Sequence, residues 1–74
     1  VTRLTLYTRP GCHLCEDAVA VLERIGEPFE EIDISGDREL EAEYGDRIPV
    51  IMLDGREHGY WRVEEQRLRR DLAA

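Results

Sequence analysis

Two cysteines, Cys12 and Cys15, stand in the stretch "YTRPGCHLCEDAVAVL", and the 74-residue chain has no others. Sulfurs at that spacing can hold a metal, staple a loop or work as a redox dithiol. A zinc site needs four ligands, usually two such pairs or a cysteine pair followed by a close histidine pair. Here the other candidates are His13, inside the pair, and His58, far along the chain, so the donor set falls short and no metal is expected. A disulfide closing so short a loop would remove little entropy from the unfolded chain. It would also not persist in a reducing compartment.

The dithiol reading asks for one sulfur that ionises readily and a second that can reach it. "RPG" (9–11) interrupts a β-prone run, and a helical pattern follows from His13. At the start of a helix, unpartnered N–H groups and the aligned peptide dipoles stabilise an anion, and only the thiolate attacks a disulfide. Cys12 has that position and is the expected nucleophile. Cys15, one turn later, opens the apolar face and should stay shielded and protonated until it resolves the mixed disulfide. A cationic His13 near the thiolate would make the couple more oxidising. Glu16 and Asp17, in the first helical turn, would push the other way.

The elements that must position these sulfurs follow from hydrophobic period. Arg3–Thr8 alternates as a strand, with Leu4 and Leu6 against Thr5 and Tyr7. From His13 to about Ile25 the pattern is helical, placing Cys15, Ala18, Val19, Leu22 and Ile25 on one face. Gly26, with Pro28 beyond it, is the expected stop. Phe29–Ile34 reads as a second strand. Ser35–Gly45 reads as a short acidic helix entered near Ser35 or Asp37. Pro49–Leu53 is a continuous apolar run, expected as a central strand covered on both faces. Asp54-Gly55 is a strong hairpin turn that returns "REHGY" antiparallel. A last helix, from about Val63 to Leu72, turns Val63, Leu68 and Leu72 inward. The order is β-α-β-α-β-β-α, an α/β single domain over residues 1–74. Helical links suit parallel crossovers among the first three strands, with the hairpin adding an antiparallel edge. Tyr7 is expected to pack in its strand, and His58 to lie on the surface.

"YTRPGCHLC" together with "RIPVIMLDG" resembles the glutaredoxin-like branch of the thioredoxin superfamily, in particular its small bacterial members. The resemblance covers essentially the whole chain and implies a thioredoxin-like fold of the glutaredoxin type, with a four-stranded mixed sheet and three helices. It implies a thiol-disulfide oxidoreductase in which Cys12 and Cys15 are the nucleophilic and resolving cysteines. Pro49 matches a cis-proline facing the CxxC turn, and Ile48 before it offers its backbone to an extended substrate; a cis bond is common only before proline. Arg9 falls where glutaredoxins usually carry a lysine near the substrate carboxylate. His13 and Leu14, between the cysteines, join the expected substrate-binding set.

The chain departs from glutathione-dependent members, which usually carry Cys-Pro-Tyr-Cys, Thr-Val-Pro and a Gly-Gly pair with an aspartate close behind. Here Arg47 stands in the threonine position, and Tyr60 and Trp61 follow Gly59 where the second glycine belongs. That bulky pair is expected to fill the groove that glycine keeps open. Two readings stay open for Trp61: an apolar rim for a protein partner, where aromatics are enriched, or core beneath the last helix. Glu64 or Glu65 is the candidate cap of that helix. The expected partners are a disulfide-containing protein or small molecule and a reductant. That reductant is glutathione or a thioredoxin-reductase-type donor, with no cofactor bound. The competing function is a thioredoxin-fold binding or redox-sensing module with little turnover.

Composition narrows the class further. Acidic residues number 17 against 10 basic ones, for a net charge of −7, which argues against a nucleic-acid binder. No run approaches the ~20 apolar residues of a membrane span, and "VTRLTLYTRP" is too polar for a signal peptide's apolar stretch. A cytoplasmic monomer is the expectation.

Overall fold

The computed structural model describes residues 2–74; Val1, part of the expected domain, lies outside them. Seven elements occur in the order expected: β1 (Leu4–Thr8), α1 (His13–Ile25), β2 (Phe29–Asp33), α2 (Arg38–Tyr44), β3 (Val50–Leu53), β4 (Arg56–Tyr60) and α3 (Glu65–Ala73). The four strands form one mixed sheet in the order β2-β1-β3-β4. This is the three-helix, four-stranded thioredoxin-like fold.

The core is built by alternation on β1. Leu4 and Leu6 are fully buried and cluster with Ile51 of β3, Ala18 and Leu22 of α1 and Leu68 of α3. Each fully buried leucine or isoleucine contributes about 1.5–3 kcal/mol relative to exposure, so this cluster is what docks α1 and α3 on the sheet. The helix bounds follow local signals. Gly26 ends α1 in a left-handed conformation (φ 87°) and donates its N–H to Leu22 O, as a glycine C-cap does. Asp37 caps α2 by accepting the Leu40 N–H at 3.1 Å, so of the two entry points considered it is Asp37 that begins the helix. Ser35 is taken up earlier, donating its N–H and hydroxyl to Asp33 Oδ1. Glu64 holds the N-cap position of α3 but makes no side-chain cap bond.

One expectation about direction fails. β1 and β2 are parallel, but β3 runs antiparallel to β1. The reason lies in α2, which has 7 residues and buries none of them. Seven residues of helix span ~10 Å, against ~17 Å for a five-residue strand, so α2 does not run the length of the sheet as a crossover helix does. β3 therefore starts at the end where β2 finished. What holds α2 is aromatic: Tyr44 stacks on Tyr7 of β1 with ring centroids 4.6 Å apart, and Arg47 lies over the Tyr44 ring at 5.6 Å.

His58 also departs from expectation. Between Ile51 and Met52 the β3–β4 register shifts, with Ile51 opposite Gly59 and Met52 opposite Glu57. The extra residue is His58, and such a bulge re-aims a side chain. Its ring is nearly buried and Nε2 lies 2.7 Å from Asp71 Oδ2 on α3. It ties the hairpin to the last helix and is no surface residue.

The start of α3 is fixed to α1 by Glu65, which accepts from Arg24 at 2.7 Å and from Arg69 at 2.9 Å. These hydrogen bonds, from Arg24 first and Arg69 next, hold the Glu65 carboxyl down at about 2 from an ordinary 4.5. A depressed carboxyl stabilises the fold above its unfolded value and loses that contribution as pH falls toward its folded value. Melting midpoints measured from pH 6 to 2 should therefore decline less steeply below about pH 4.5 for Glu65→Gln than for the unmutated chain.

Candidate functional site

The end of the sheet that carries the candidate site is set by register. Tyr7 pairs with Val50 and Val50 with Tyr60, so the end of β1, the start of β3 and the end of β4 lie side by side. From the end of β1 the chain runs through Arg9, Pro10 and Gly11 into Cys12. Gly11 has φ 75°, a left-handed conformation that glycine adopts without steric cost.

Cys12 is the N-cap of α1, with extended backbone (φ −95°, ψ 113°). Its carbonyl accepts the Glu16 N–H at 3.1 Å. Its Sγ accepts the Cys15 N–H at 3.2 Å. The nucleophile candidate thus sits in the position usually filled by a capping oxygen, with a backbone donor aimed at the sulfur. Cys12 is half-buried and Cys15 is 4% exposed; both are free thiols. Burial pushes the Cys15 thiol up from 9.0 to about 11. Its contact with Cys12 and the nearby Glu31 carboxylate add to this, while the Arg9 backbone acts against it. The two sulfurs are chemically unequal: one is capped and accessible, the other is dry and holds its proton. His13 and Leu14 between them are both exposed.

At the start of β3 the Ile48–Pro49 bond is cis. Pro49 is fully buried, and its carbonyl accepts the Trp61 N–H at 2.8 Å. The strand register places it beside Thr8, at the end from which the Cys12 loop departs. An antiparallel β3 is what allows this; a parallel one would have carried Pro49 to the far end of the sheet.

Trp61 is 54% exposed and Tyr60 46%, so the core reading of Trp61 fails. The two rings pack edge to face with centroids 5.0 Å apart. The Trp61 N–H is shared between Pro49 O and Arg47 O, and its indole N–H donates to Asp46 O at 3.3 Å. The pair stands at the rim of a neighbouring hollow. This open groove of about 470 Å³ lies between the end of β4 and the start of α3, and Tyr60, Trp61, Arg62 and Arg67 line it. Trp61 holds φ at 69°, a left-handed conformation that is uncommon for bulky residues. A glycine would adopt this backbone freely. Together with Leu14, Tyr60 and Trp61 are the large hydrophobics left exposed among the described residues, and all three lie at this end.

Arg9 takes part in an exposed ion pair. Its guanidinium reaches α2 and pairs with Glu41 at 3.3 Å. No local pattern signals this contact, since Glu41 lies 32 positions away. Arg9 also lines a cleft of about 380 Å³ on the β2 side of the cysteines, shared with Cys12, Cys15, Glu16, Val19 and Glu31. Glu31 is a cleft residue that the sequence pattern alone did not single out.

A thioredoxin-like sheet with a paired cysteine turn at the head of its first helix defines the class. The chain belongs to the glutaredoxin-like family: the family described as Glutaredoxin-like domain (DUF836) matches residues 3–73. It is 42% identical over 80 residues to the Mycobacterium tuberculosis protein Rv0508, a match covering 96% of this chain and 82% of that one. The X-ray structure of target protein XcR50 from X. campestris superposes with a TM-score of 0.82 at 43% identity, covering 96% of this chain and 97% of that one. Glutaredoxin C1 from Populus tremula x tremuloides shares the fold, with a TM-score of 0.70 at 18% identity over 99% of this chain and 80% of that one. Fold, family and the close cysteine pair together support a redox-type role.

The inequality of the two sulfurs has a direct readout. Limited alkylation of the reduced chain at neutral pH should label Cys12 first and leave Cys15 unmodified until the pH approaches 11 or the chain is unfolded. Peptide mapping by mass spectrometry reads the order, and early labelling of Cys15 would contradict the burial argument. Trp61→Gly should relieve the left-handed backbone by about 1 kcal/mol and raise the melting midpoint. A fall in that midpoint would show that the indole is a packing element.

Proposed function

We propose that this chain is a thiol-disulfide oxidoreductase acting on protein or small-molecule disulfides. The observation that carries the reading is the Cys12 sulfur at the cap of α1, accepting the Cys15 N–H at 3.2 Å with Cys15 buried behind it. In the forward cycle the Cys12 thiolate attacks one sulfur of the substrate disulfide. The other substrate sulfur departs and takes up a proton. Cys15 then attacks Cys12 Sγ, the mixed disulfide breaks, and the substrate leaves with both electrons. The new Cys12–Cys15 disulfide is returned to the dithiol by an external reductant.

The surroundings support a protein-sized substrate. In this reading Ile48, ahead of the cis-proline, offers its backbone to an extended segment. Leu14, Tyr60 and Trp61 supply an apolar rim of the kind that contact patches use. The open groove at Arg62 and Arg67 leaves space for a small thiol as well. Glutathione with its reductase, and NADPH with thioredoxin reductase, are therefore the two donors to compare. The cytoplasm, where thiols are kept reduced, is the setting this cycle needs. Among the described residues no helix is long and apolar enough to cross a membrane.

Coupled turnover assays with both donors, run side by side, test the reading. Cys12→Ser should abolish reduction of a model disulfide, and Cys15→Ser should trap a mixed disulfide with a protein substrate. Sustained flux with either donor marks a catalyst. A single stoichiometric oxidation without flux would instead mark a redox-sensing module, and unchanged turnover in Cys12→Ser would end the proposal.

A further inference from the structure

Alternation on β2 puts Phe29, Glu31 and Asp33 on one face, because their ladder partners on β1 are Leu4, Leu6 and Thr8. That is the face α1 covers: Leu4 and Leu6 are fully buried there, and Phe29 packs against the same cluster. Glu31 thus takes a position turned toward the core side of the sheet, yet it is a carboxylate. It stays solvated by opening onto the cleft it shares with Cys12 and Cys15. Its Oε2 accepts a hydrogen bond from the Thr8 hydroxyl at 3.2 Å, and Thr8 is 4% exposed. The guanidinium of that cleft, Arg9, is engaged by Glu41. The remaining carboxylate there, Glu16, belongs to α1, and Asp33 is turned to Ser35.

We propose that Glu31 is the proton acceptor of the resolving step, taking the Cys15 thiol proton across this cleft. The inference rests on the dithiol reading above. As Cys15 Sγ–H gives its proton to the Glu31 carboxylate, the freed electron pair forms the bond to Cys12 Sγ. The bond between Cys12 Sγ and the substrate sulfur breaks, and the substrate leaves as a thiolate. The neutral Glu31 carboxyl then returns its proton to solvent or to that thiolate. When an external thiol reopens the disulfide, the proton that thiol loses passes through the same carboxylate to the departing Cys15 sulfur.

Two other roles for Glu31 make opposite predictions. As a plain negative charge near Cys15 it resists ionisation of that thiol, so removing it would speed the step. As an inward-pointing charge on an edge strand it would deter strand pairing between molecules. Its loss would then cause association with no change in rate.

The test is stopped-flow oxidation of the full reduced chain by an aryl disulfide whose thiolate product absorbs. The first release reports attack by Cys12 and the second reports resolution by Cys15. The aryl thiolate needs no proton, so the second phase isolates Cys15. Glu31→Gln is expected to slow the second release about tenfold or more at pH 7, and to leave the first within about twofold. The deficit should shrink as pH rises and hydroxide replaces the carboxylate, and Glu31→Asp should restore part of the rate. Glu16→Gln, on the same cleft, should leave the second release unslowed. A second release in Glu31→Gln that is unchanged or faster overturns the inference, as does equal slowing by Glu16→Gln. Failure of the unmutated chain to give either release would instead sink the dithiol reading itself.

Discussion

Strand β1 is hydrogen-bonded on both edges, parallel to β2 and antiparallel to β3, and the site inherits its geometry from that double pairing. Its inward residues Leu4 and Leu6 anchor the core, so the strand cannot slip by one position without exposing them. Its end launches the cysteine loop. Its antiparallel neighbour brings Pro49 to that same end, and β4 follows with Tyr60 and Trp61. Its parallel neighbour brings Glu31 under the start of α1. Residues far apart in sequence converge because one short strand is paired on both sides.

The two cysteines differ because α1 begins between solvent and core. At the N-cap a sulfur meets a backbone donor and the positive end of the peptide dipoles. Three residues on, the helix has turned its apolar stripe inward, where Cys15, Ala18 and Leu22 are buried together. No special residue has to be invoked to separate their chemistry. The aromatic rim works against local preference instead. Trp61 stays in a left-handed conformation with its indole half in solvent, held by hydrogen bonds to Pro49 and Arg47. Strain of that sort persists where surrounding contacts over-determine a position, and it clusters at binding sites.

Much of this was legible in the residues. The CxxC at a strand-to-helix break, the Asp54-Gly55 hairpin and the Gly26 stop each carry a local physical signature that tertiary contacts did not override. Strand direction did not, since a period of two is the same read either way. The buried His58 was invisible because a bulge breaks the alternation that would have assigned its face. The Trp61 exposure depended on a backbone angle that residue type alone does not reveal. Glu31 is hidden in the sequence for a related reason. "FEEID" alternates weakly, and which of its two glutamates faces α1 follows only from the register with β1.

That register bears on the chemistry more than any feature of the cysteine turn itself. A thiol held at about 11 is ionised at pH 7 only about once in ten thousand molecules, since each pKa unit is a tenfold ratio. The burial that protects Cys15 from stray reagents therefore also withholds the anion that the proposed resolving step requires. A helix start cannot relieve this, because its unpartnered N–H groups serve Cys12. Deeper hydration would remove the protection along with the obstacle. In the proposed cycle the two demands are reconciled by a carboxylate that opens onto the cleft it shares with the buried thiol and takes its proton as the sulfur–sulfur bond forms. On the described surface of this cleft, Glu31 has that placement.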